Sequence, residues 1–169
     1  HSDESNALSS ALKRTREKGI VVIAAAGNEG EDTDKSPHYP SGYSLDNIIS
    51  VAAINQNGKL TSWSNYGSKS VDLAAPGADI YSTSAESDAG YVALSGTSMA
   101  CPHVSGVAAL MLARNPKITP SNLRVKLIRS ATSNTNLRGR MVSGGWVNAF
   151  NALAIAKKGS RSLSRKYSR

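Results

Sequence analysis

Cysteine, aromatic side chains and long apolar runs are scarce in this 169-residue sequence. Cys101 is its one cysteine, so the chain cannot form an internal disulfide. Aromatic residues make up only 5% of the chain, so a core has to be built mainly from Ala, Val, Leu and Ile. No apolar run approaches the ~18 residues of a membrane span, and the N-terminus lacks the basic and apolar segments of a signal peptide. We therefore expect neither feature within this sequence.

The net charge of +8 lies mostly at the C-terminus. The basic residues there, with no acid among them, are Lys157, Lys158, Arg161, Arg165, Lys166 and Arg169. We therefore expect one domain over residues 1–157, followed by a basic, disordered tail over residues 158–169. Binding of this tail to nucleic acid or to an anionic membrane is the less favoured alternative, because Tyr167 is its only aromatic residue.

The hydrophobic pattern alternates between helices and strands. Residues 6–18 predict an amphipathic helix that ends at Gly19. The continuous apolar run over residues 20–26 is typical of a parallel strand buried on both faces. Further predicted elements are strands over residues 48–54, 71–75 and 80–83, a helix with an apolar stripe from Val104, a helix from Thr119-Pro120 to about Ala131, and a last helix bearing Trp146, Phe150 and Leu153. This order predicts an α/β layered domain with a largely parallel sheet.

Residues 95–104 place small residues and hydroxyls at the start of an apolar helix. Within this segment Ser98 is a candidate nucleophile, since a helix N-terminus offers unpaired N–H groups to a developing negative charge. Gly96 would let a substrate backbone approach closely, and Pro102 fits the first helical turn, where a missing N–H is tolerated. The alternative is that Thr97 or Ser98 merely caps the helix, as Ser and Thr often do.

A second candidate, Asn28, directly follows the apolar run at residues 20–26. The carboxyl end of a parallel strand is where α/β sheets place ligands, and the Asn28 amide could donate to an oxyanion. The alternative is an ordinary turn residue, because Asn and Gly dominate turns. Taken alone, Gly27-Asn28 fits the turn better.

Together the two segments resemble the subtilisin-like serine peptidases. The similar segments, in order, are Ala25-Ala26-Gly27-Asn28, Tyr39-Pro40, the strand at 49–54, Ser64-Asn65-Tyr66-Gly67, Asp72-Leu73-Ala74-Ala75-Pro76-Gly77, and Gly96-Thr97-Ser98-Met99-Ala100 with Pro102-His103-Val104. The resemblance extends from about residue 7 to residue 157. It implies a three-layer subtilisin-like fold and a serine endopeptidase, in which Ser98 is acylated and Asn28, with the Ser98 N–H, binds the oxyanion.

The same resemblance implies that the sequence holds the C-terminal half of a catalytic domain. In the family the catalytic aspartate and histidine precede the asparagine, but the 27 residues before Asn28 contain no such motif. His1 lies too close to Asn28, His38 follows it, and His103 resembles a structural histidine of the serine helix. We therefore expect this chain to be inactive alone, with the upstream half supplied in cis or as a second chain. The alternative is a catalytically inactive relative that binds peptides or acts as an interaction module.

The resemblance also implies a site for a polypeptide substrate, bound as an added strand. The implied substrate contacts are Ala25, Ala26, Gly27, His38, Tyr39, Pro40, Gly96 and Thr97. The first three would form one side of the primary specificity pocket, and residues 38–40 its lower wall. His38 would make this pocket shallow or favour an acidic P1 side chain. A histidine in an ordinary surface loop is the equally open alternative.

No cofactor or metal site is expected within this chain, although calcium is possible in a complete domain of the family. The loop over residues 29–43 is acidic through Glu29, Glu31, Asp32 and Asp34. Their spacing differs from that of an EF-hand, so a solvated loop is favoured over a cation site. The resemblance further implies that the protein is secreted or enters the secretory pathway.

Overall fold

The computed structural model describes residues 4–157 of the chain. The helices are α1 (Asn6–Glu17), α2 (Thr97–Arg114), α3 (Pro120–Ser130) and α4 (Ala149–Ile155). The strands are β1 (Val22–Ala25), β2 (Ile48–Ile54), β3 (Leu73–Pro76), β4 (Ile80–Thr83), β5 (Tyr91–Leu94), β6 (Thr132–Ser133) and β7 (Gly145–Trp146). Within this part of the chain, no helix combines the length and the apolar character needed to cross a membrane. The predicted tail at 158–169 lies outside the described residues.

Five of these strands form one sheet in the order β1-β2-β3-β7-β6. The first four are parallel, and β6 runs antiparallel to β7. β2 is buried at all seven positions, as its continuous apolar sequence predicts. β3 begins two residues later than the predicted range 71–75. Because β1, β2 and β3 are parallel, the loops that follow them lie at one edge of the sheet, where α/β folds place their ligands.

Helices cover both faces of the sheet and give three layers. α2 packs across β1, β2 and β3, and α4 packs against α2 and α3. Val104 and Met111, from the predicted apolar stripe, belong to the same buried cluster as Val51 of β2. On the other face, Leu12 of α1 packs with Ile48. The predicted α/β layered domain with a largely parallel sheet is confirmed.

β1 is less buried than its apolar sequence suggests. Three of its four residues are only partly buried, and Ile20, just before it, is 52% exposed. The prediction of a strand over residues 20–26 buried on both faces is therefore wrong. The physical reason is position, because among the described residues β1 pairs with β2 alone and its other edge has no neighbouring strand.

The last helix is also shorter than predicted, because Trp146 belongs to β7. α4 begins at Ala149, whereas Trp146 pairs with Ala74 of β3 and with Thr132 of β6. Gly145 permits this pairing, since a Cβ at that position would collide with the Thr132 carbonyl.

α2 begins earlier than the apolar pattern indicates. Gly96 is its N-cap and makes no side-chain capping bond, so Thr97 and Ser98 are the first two helical residues and neither is the cap. Pro102 is the sixth helical residue, contrary to the prediction that it lies in the first turn. Its missing N–H leaves the Ser98 carbonyl without the usual donor four residues on.

β4 and β5 form a separate antiparallel hairpin that leads directly into α2. The strand predicted at residues 80–83 is β4. The hairpin exposes its large side chains, and Tyr81 stacks on Tyr91 with ring centroids 5.3 Å apart.

Candidate active site

Ser98 and Asn28, which come from distant segments of the sequence, lie at one place in the structure. α2 packs across β1, and the two elements meet where the Gly27 N–H donates to the Thr97 hydroxyl at 3.3 Å. The turn after a parallel strand thus contacts the N-terminus of a helix. This junction can direct several N–H donors toward one negative charge.

Ser98 is exposed although its neighbours Gly96 and Thr97 are buried. In the described part of the chain, neither its hydroxyl nor its backbone N–H has a hydrogen-bond partner. The N–H is one of the donors that the first turn of a helix leaves free. Ser98 therefore presents a hydroxyl to solvent beside an available donor.

The Asn28 side chain is oriented by Thr97. Its Oδ1 accepts hydrogen bonds from the Thr97 N–H and from the Thr97 hydroxyl, both at 2.9 Å. Because the backbone N–H can only donate, the amide oxygen has to face Thr97 and Nδ2 has to face away. The turn interpretation accounts for Gly27, which has φ +105, but it does not account for this fixed amide.

The free donors of Asn28 and Ser98 converge beside Gly96. A Cβ placed on Gly96 would lie 3.7 Å from the Ser98 nitrogen and 3.8 Å from Asn28 Nδ2. Two donors that flank one point can bind a single oxygen between them, which is what a tetrahedral oxyanion requires. The absent side chain at Gly96 leaves space for a carbonyl group to approach.

The described residues contain two histidines, His38 and His103. His103 lies five residues further along α2, about 140° around the axis and about 7.5 Å along it, and its Nδ1 is 3.0 Å from the Met99 carbonyl. His38 lies beside Gly27, where its Cδ2 would be 2.9 Å from a Cβ on that glycine. Neither histidine is hydrogen-bonded to Ser98 in residues 4–157.

Cys101 is not a competing nucleophile. It lies one turn along α2 from Ser98, and burial raises the pKa of its thiol to about 11. The thiol is therefore protonated near neutral pH, and the thiolate is the reactive form.

The predicted pocket residues surround Gly27. A Cβ on Gly27 would lie 2.6 Å from Glu29 Oε2 and 2.9 Å from His38 Cδ2, so these two side chains flank it. His38 Nδ1 is buried and has no hydrogen-bond partner in the described residues. The following Tyr39-Pro40 peptide bond is cis. The structure thus places His38 of the predicted lower wall beside Gly27 of the predicted pocket side.

The remaining predicted contacts differ in exposure. Ala25 is partly buried, whereas the side chains of Ala26 and Thr97 are fully buried. These two side chains are therefore packed beneath the site and are not accessible to a substrate. Asn28 and Ser98 are exposed at this junction.

Glu29 supplies a carboxylate to this pocket, a feature that the sequence analysis missed. Burial acts to raise the pKa of Glu29, but a hydrogen bond from Asn65 and the nearby His38 outweigh it, so the pKa is lowered. Asn65 Nδ2 donates to Glu29 Oε2 at 2.7 Å. The only sequence signal for this contact was the segment Ser64-Asn65-Tyr66-Gly67. It was one of the segments similar to the family, but none of its residues had been assigned a function.

Asp34, another acid of the loop, binds a different segment from Glu29. Asp34 accepts hydrogen bonds from the hydroxyls of Ser68 and Ser70 and from the backbone N–H groups of Lys69 and Ser70. Over residues 4–157 no group of three or more His, Cys, Asp or Glu side chains is close enough to hold a metal ion. The loop is therefore tied to the segment before β3 through Asp34.

An apolar cleft lies between the β4–β5 hairpin and the start of α2, and Ser98 lines it. It has a volume of about 440 Å³. Its lining includes Val92 and Leu94 of β5 and Ser98, Met99 and Pro102 of α2. The nucleophile candidate therefore lines a cleft that the hairpin and α2 form together.

The chain matches the Subtilase family over residues 1–153. Thermitase from Thermoactinomyces vulgaris is 44% identical over 146 residues, which cover 86% of this chain and 48% of thermitase. The thermostable alkaline protease of Halalkalibacterium halodurans is 41% identical over 128 residues, which cover 76% of this chain and 33% of that protease. The chain therefore spans about half or less of these curated relatives.

A solved structure supports the same relationship. The prenylagaramide maturation protease PagA superposes with a TM-score of 0.77 and 31% identity, over 94% of this chain and 58% of that one. The agreement includes the mostly parallel sheet, so the expected subtilisin-like fold is confirmed. The family match, the protease relatives and the shared fold agree, and the chain belongs to the subtilase family of serine peptidases.

Proposed function

We propose that this chain supplies the nucleophile and the oxyanion site of a serine endopeptidase. The supporting observation is the convergence of Asn28 Nδ2 and the Ser98 nitrogen beside Gly96, with the Ser98 hydroxyl exposed next to them. In this proposal Ser98 Oγ attacks the scissile carbonyl carbon, and the carbonyl oxygen becomes the oxyanion that both donors bind.

The proton of Ser98 requires a base outside the described residues. A histidine from an upstream half of the catalytic domain takes that proton, and an aspartate from the same half orients the histidine. The histidine then protonates the leaving amine, which departs and leaves the acyl group on Ser98. Water, deprotonated by the histidine, releases the acid and restores the Ser98 hydroxyl.

Two apolar features support docking of such an upstream half. The free edge of β1 lies beside Ile20, which is 52% exposed, and Leu110 on α2 is 51% exposed. A free strand edge and exposed aliphatic side chains are stabilised when another segment covers them. We infer that the upstream half does so, in the same polypeptide or as a second chain, and that this chain alone does not hydrolyse peptides.

A non-catalytic peptide-binding module is the second candidate. It is favoured by the observation that, within residues 4–157, no histidine is hydrogen-bonded to Ser98. Such a module would keep the Gly27 pocket and the cleft but would leave Ser98 with the low nucleophilicity of an ordinary hydroxyl.

Further parts of the proposal follow from family membership. The substrate is a polypeptide, and calcium binds, if anywhere, in the complete domain. Secretion is proposed because one relative, from Yarrowia lipolytica, is named an alkaline extracellular protease.

The test uses a complemented enzyme, defined as this chain joined to or mixed with an upstream subtilase half that carries the family aspartate and histidine. Thermitase, at 44% identity, is a suitable donor of that half. We expect hydrolysis of a peptide substrate and fluorophosphonate labelling at Ser98, both abolished by Ser98→Ala. Ser105→Ala is the matched control, because Ser105 is also exposed on α2 but donates its hydroxyl to the Cys101 carbonyl.

Two results would contradict the proposal. Labelling of a serine other than Ser98 would remove Ser98 from the nucleophile role. Saturable peptide binding by a complemented chain that neither hydrolyses nor labels would favour the non-catalytic module.

A further inference from the structure

The Asn65 side chain is the most heavily bonded group at the candidate site, yet it contacts neither Ser98 nor the oxyanion position. It is 1% exposed. Its Oδ1 accepts from the backbone N–H groups of Glu29 at 3.1 Å and Glu31 at 2.9 Å. Its Nδ2 donates to the Ala26 carbonyl at 3.0 Å and to Glu29 Oε2 at 2.7 Å. Its backbone N–H donates to the Gly27 carbonyl at 3.0 Å.

These bonds enclose Asn28 from both sides along the chain. Asn65 holds the backbone at residues 26 and 27 before Asn28 and at residues 29 and 31 after it. The Asn28 side chain is held from α2 by Thr97. Two separate clamps, one on the turn and one on the amide, therefore determine where Asn28 Nδ2 lies.

On the basis of the proposed function, we propose that Asn65 is a positioning residue for the reaction. It fixes the turn that aims Asn28 Nδ2 at the oxyanion, and it holds the Glu29 carboxylate beside Gly27, in the predicted primary specificity pocket. One side chain thereby affects two properties of the proposed enzyme: the rate of acylation, through Asn28, and the preference for a charged or neutral P1 side chain, through the Glu29 carboxylate.

The chemistry of the amide explains why asparagine is required at position 65. An asparagine side chain offers two acceptor positions on its oxygen and two N–H donors on its nitrogen, and all four are used here. Aspartate would keep the acceptors but would oppose a second carboxylate to Glu29 and a carboxylate oxygen to the Ala26 carbonyl. Alanine would leave two backbone N–H groups without their partner, and such groups are costly when buried.

The link to the pocket rests on Glu29 and His38. The Glu29 carboxylate lies where a Cβ of Gly27 would touch it, at 2.6 Å, and His38 flanks the same position. Without the Asn65 Nδ2 donor, the exposed Glu29 carboxylate loses this hydrogen bond and is free to rotate away from Gly27. Asn65 substitutions therefore alter both the oxyanion geometry and the discrimination between charged and neutral P1 side chains.

The experiment compares Asn65→Ala and Asn65→Asp with Asn55→Ala in the complemented enzyme. Asn55 is a matched control, because its Oδ1 likewise accepts from two backbone N–H groups, those of Asn57 and Lys59, and both lie within its own turn after β2. Rates are measured with P1-Lys and P1-Leu substrates and are divided by the active-site concentration from fluorophosphonate titration, so unfolded molecules do not enter kcat.

We expect both Asn65 variants to lower kcat per active site on the P1-Leu substrate about 10- to 100-fold, as displacement of a reacting group by about 1 Å does. The KM for that substrate should change much less, and the ratio of P1-Lys to P1-Leu cleavage should shift. Hydrogen exchange at the Glu29 and Glu31 amides should accelerate in Asn65→Ala, which removes their acceptor, but not in Asn65→Asp, which keeps it. Asn55→Ala should accelerate exchange only at Asn57 and Lys59 and leave kcat unchanged.

The outcomes separate this inference from the function on which it rests. An active enzyme whose kcat per titrated site and P1 ratio survive Asn65→Ala, with only a lower melting temperature, would make Asn65 purely structural and overturn the inference. Unchanged exchange at Glu29 and Glu31 in Asn65→Ala would overturn it as well. A parent enzyme that neither hydrolyses peptides nor labels at Ser98 would defeat the proposed function itself.

Discussion

The two segments that flank Ser98 are built in different ways. On one side, the turn after β1 is held by buried partners, with Thr97 bonded to Asn28 and Asn65 bonded to Glu29. On the other side, the β4–β5 hairpin exposes its large side chains, and Tyr81 is 71% exposed. One side therefore has fixed polar geometry, and the other has an open apolar surface.

This difference corresponds to what each side does in the proposed reaction. Donors that stabilise an oxyanion must be in place before charge develops, because reorganisation would cost part of their effect. The hairpin, by contrast, lines the apolar cleft beside Ser98. A two-stranded hairpin has little stability of its own, so this wall can adapt to different sequences.

The strongest test of the fixed side is Asn28→Ala in the complemented enzyme. Removal of the Nδ2 donor should lower kcat about 10²–10³-fold, a range established on subtilisin itself. KM should change little, because the amide binds the oxyanion more strongly than the ground-state carbonyl. Steady-state kinetics on one peptide would check this, and an effect confined to KM would make Asn28 a groove or turn residue.

A smaller effect is expected from Thr97→Val, which keeps the shape of the side chain and removes its hydroxyl. One of the two hydrogen bonds to Asn28 Oδ1 is lost, while the bond from the backbone N–H remains. We expect kcat to fall about 5-fold, since one hydrogen bond to a neutral group contributes about 1 kcal/mol. Thr97→Ser, which retains the hydroxyl, is the control, and equal kcat for both variants would show that the hydroxyl does not orient Asn28.

His38→Gly tests the pocket rather than the oxyanion site. His38 flanks Gly27, so its removal enlarges the pocket, and cleavage after bulky P1 side chains should increase several-fold relative to cleavage after P1-Ala. One deleted group in an apolar pocket alters discrimination by about 1–3 kcal/mol. A peptide library varied at P1, read before and after the substitution, measures the change. An unchanged P1 profile would return His38 to the surface-loop interpretation.

The elements predicted best from the sequence are those whose burial can be read from their own residues. β2 is apolar at nearly every position and is buried at every position. The apolar stripe of α2, from Val104 to Met111, packs into the hydrophobic core of the domain. In both cases the pattern itself specifies the environment. The pairing of Ser98 with Asn28 required the family resemblance, because 69 residues separate the Asn28 side chain from its Thr97 partner.

The errors concern contacts that no local pattern encodes. The burial of β1 depends on how many strands lie beside it, and Trp146 joins the sheet because Ala74, far away in sequence, offers a partner. Glu29 looked like part of a solvated acidic loop because its partner Asn65 lies 36 residues further on. Local composition could not distinguish this carboxylate from the other acids of the loop.

Asp34 should give a smaller, pH-dependent effect on stability. Burial acts to raise the pKa of Asp34, but hydrogen bonds from Ser70, Ser68 and the Lys69 N–H outweigh it and lower the pKa below the ordinary 3.8. A lowered pKa means that the fold favours the carboxylate, so this stabilisation is present above about pH 4 and is lost as the pH falls through the lowered pKa.

Asp34→Asn should therefore reduce the free energy of unfolding at pH 7 by on the order of 1 kcal/mol, a modest value because Asp34 is solvent-exposed. The stabilities of parent and variant should converge as the pH falls below 4. Urea unfolding at a series of pH values measures this, with Asp88→Asn in the exposed hairpin as the control. A constant difference at all pH values would show that the effect does not come from the Asp34 charge.

The smallest effect is expected from Tyr81→Ser on the open side. Tyr81 is exposed and stacks only on Tyr91, which is itself 58% exposed, so its removal should change the free energy of unfolding by less than about 0.5–1 kcal/mol. The same substitution at Tyr43 is the counterpart. Tyr43 is 5% exposed and packs against Tyr39, and its loss should cost about 3 kcal/mol or more.

In the complemented enzyme, Tyr81→Ser should leave kcat on short substrates within about 2-fold of the parent. A large loss of stability there, but not in this chain alone, would mean that the upstream half packs on the hairpin, and the contrast between a fixed and an open side of Ser98 would then belong to this chain alone.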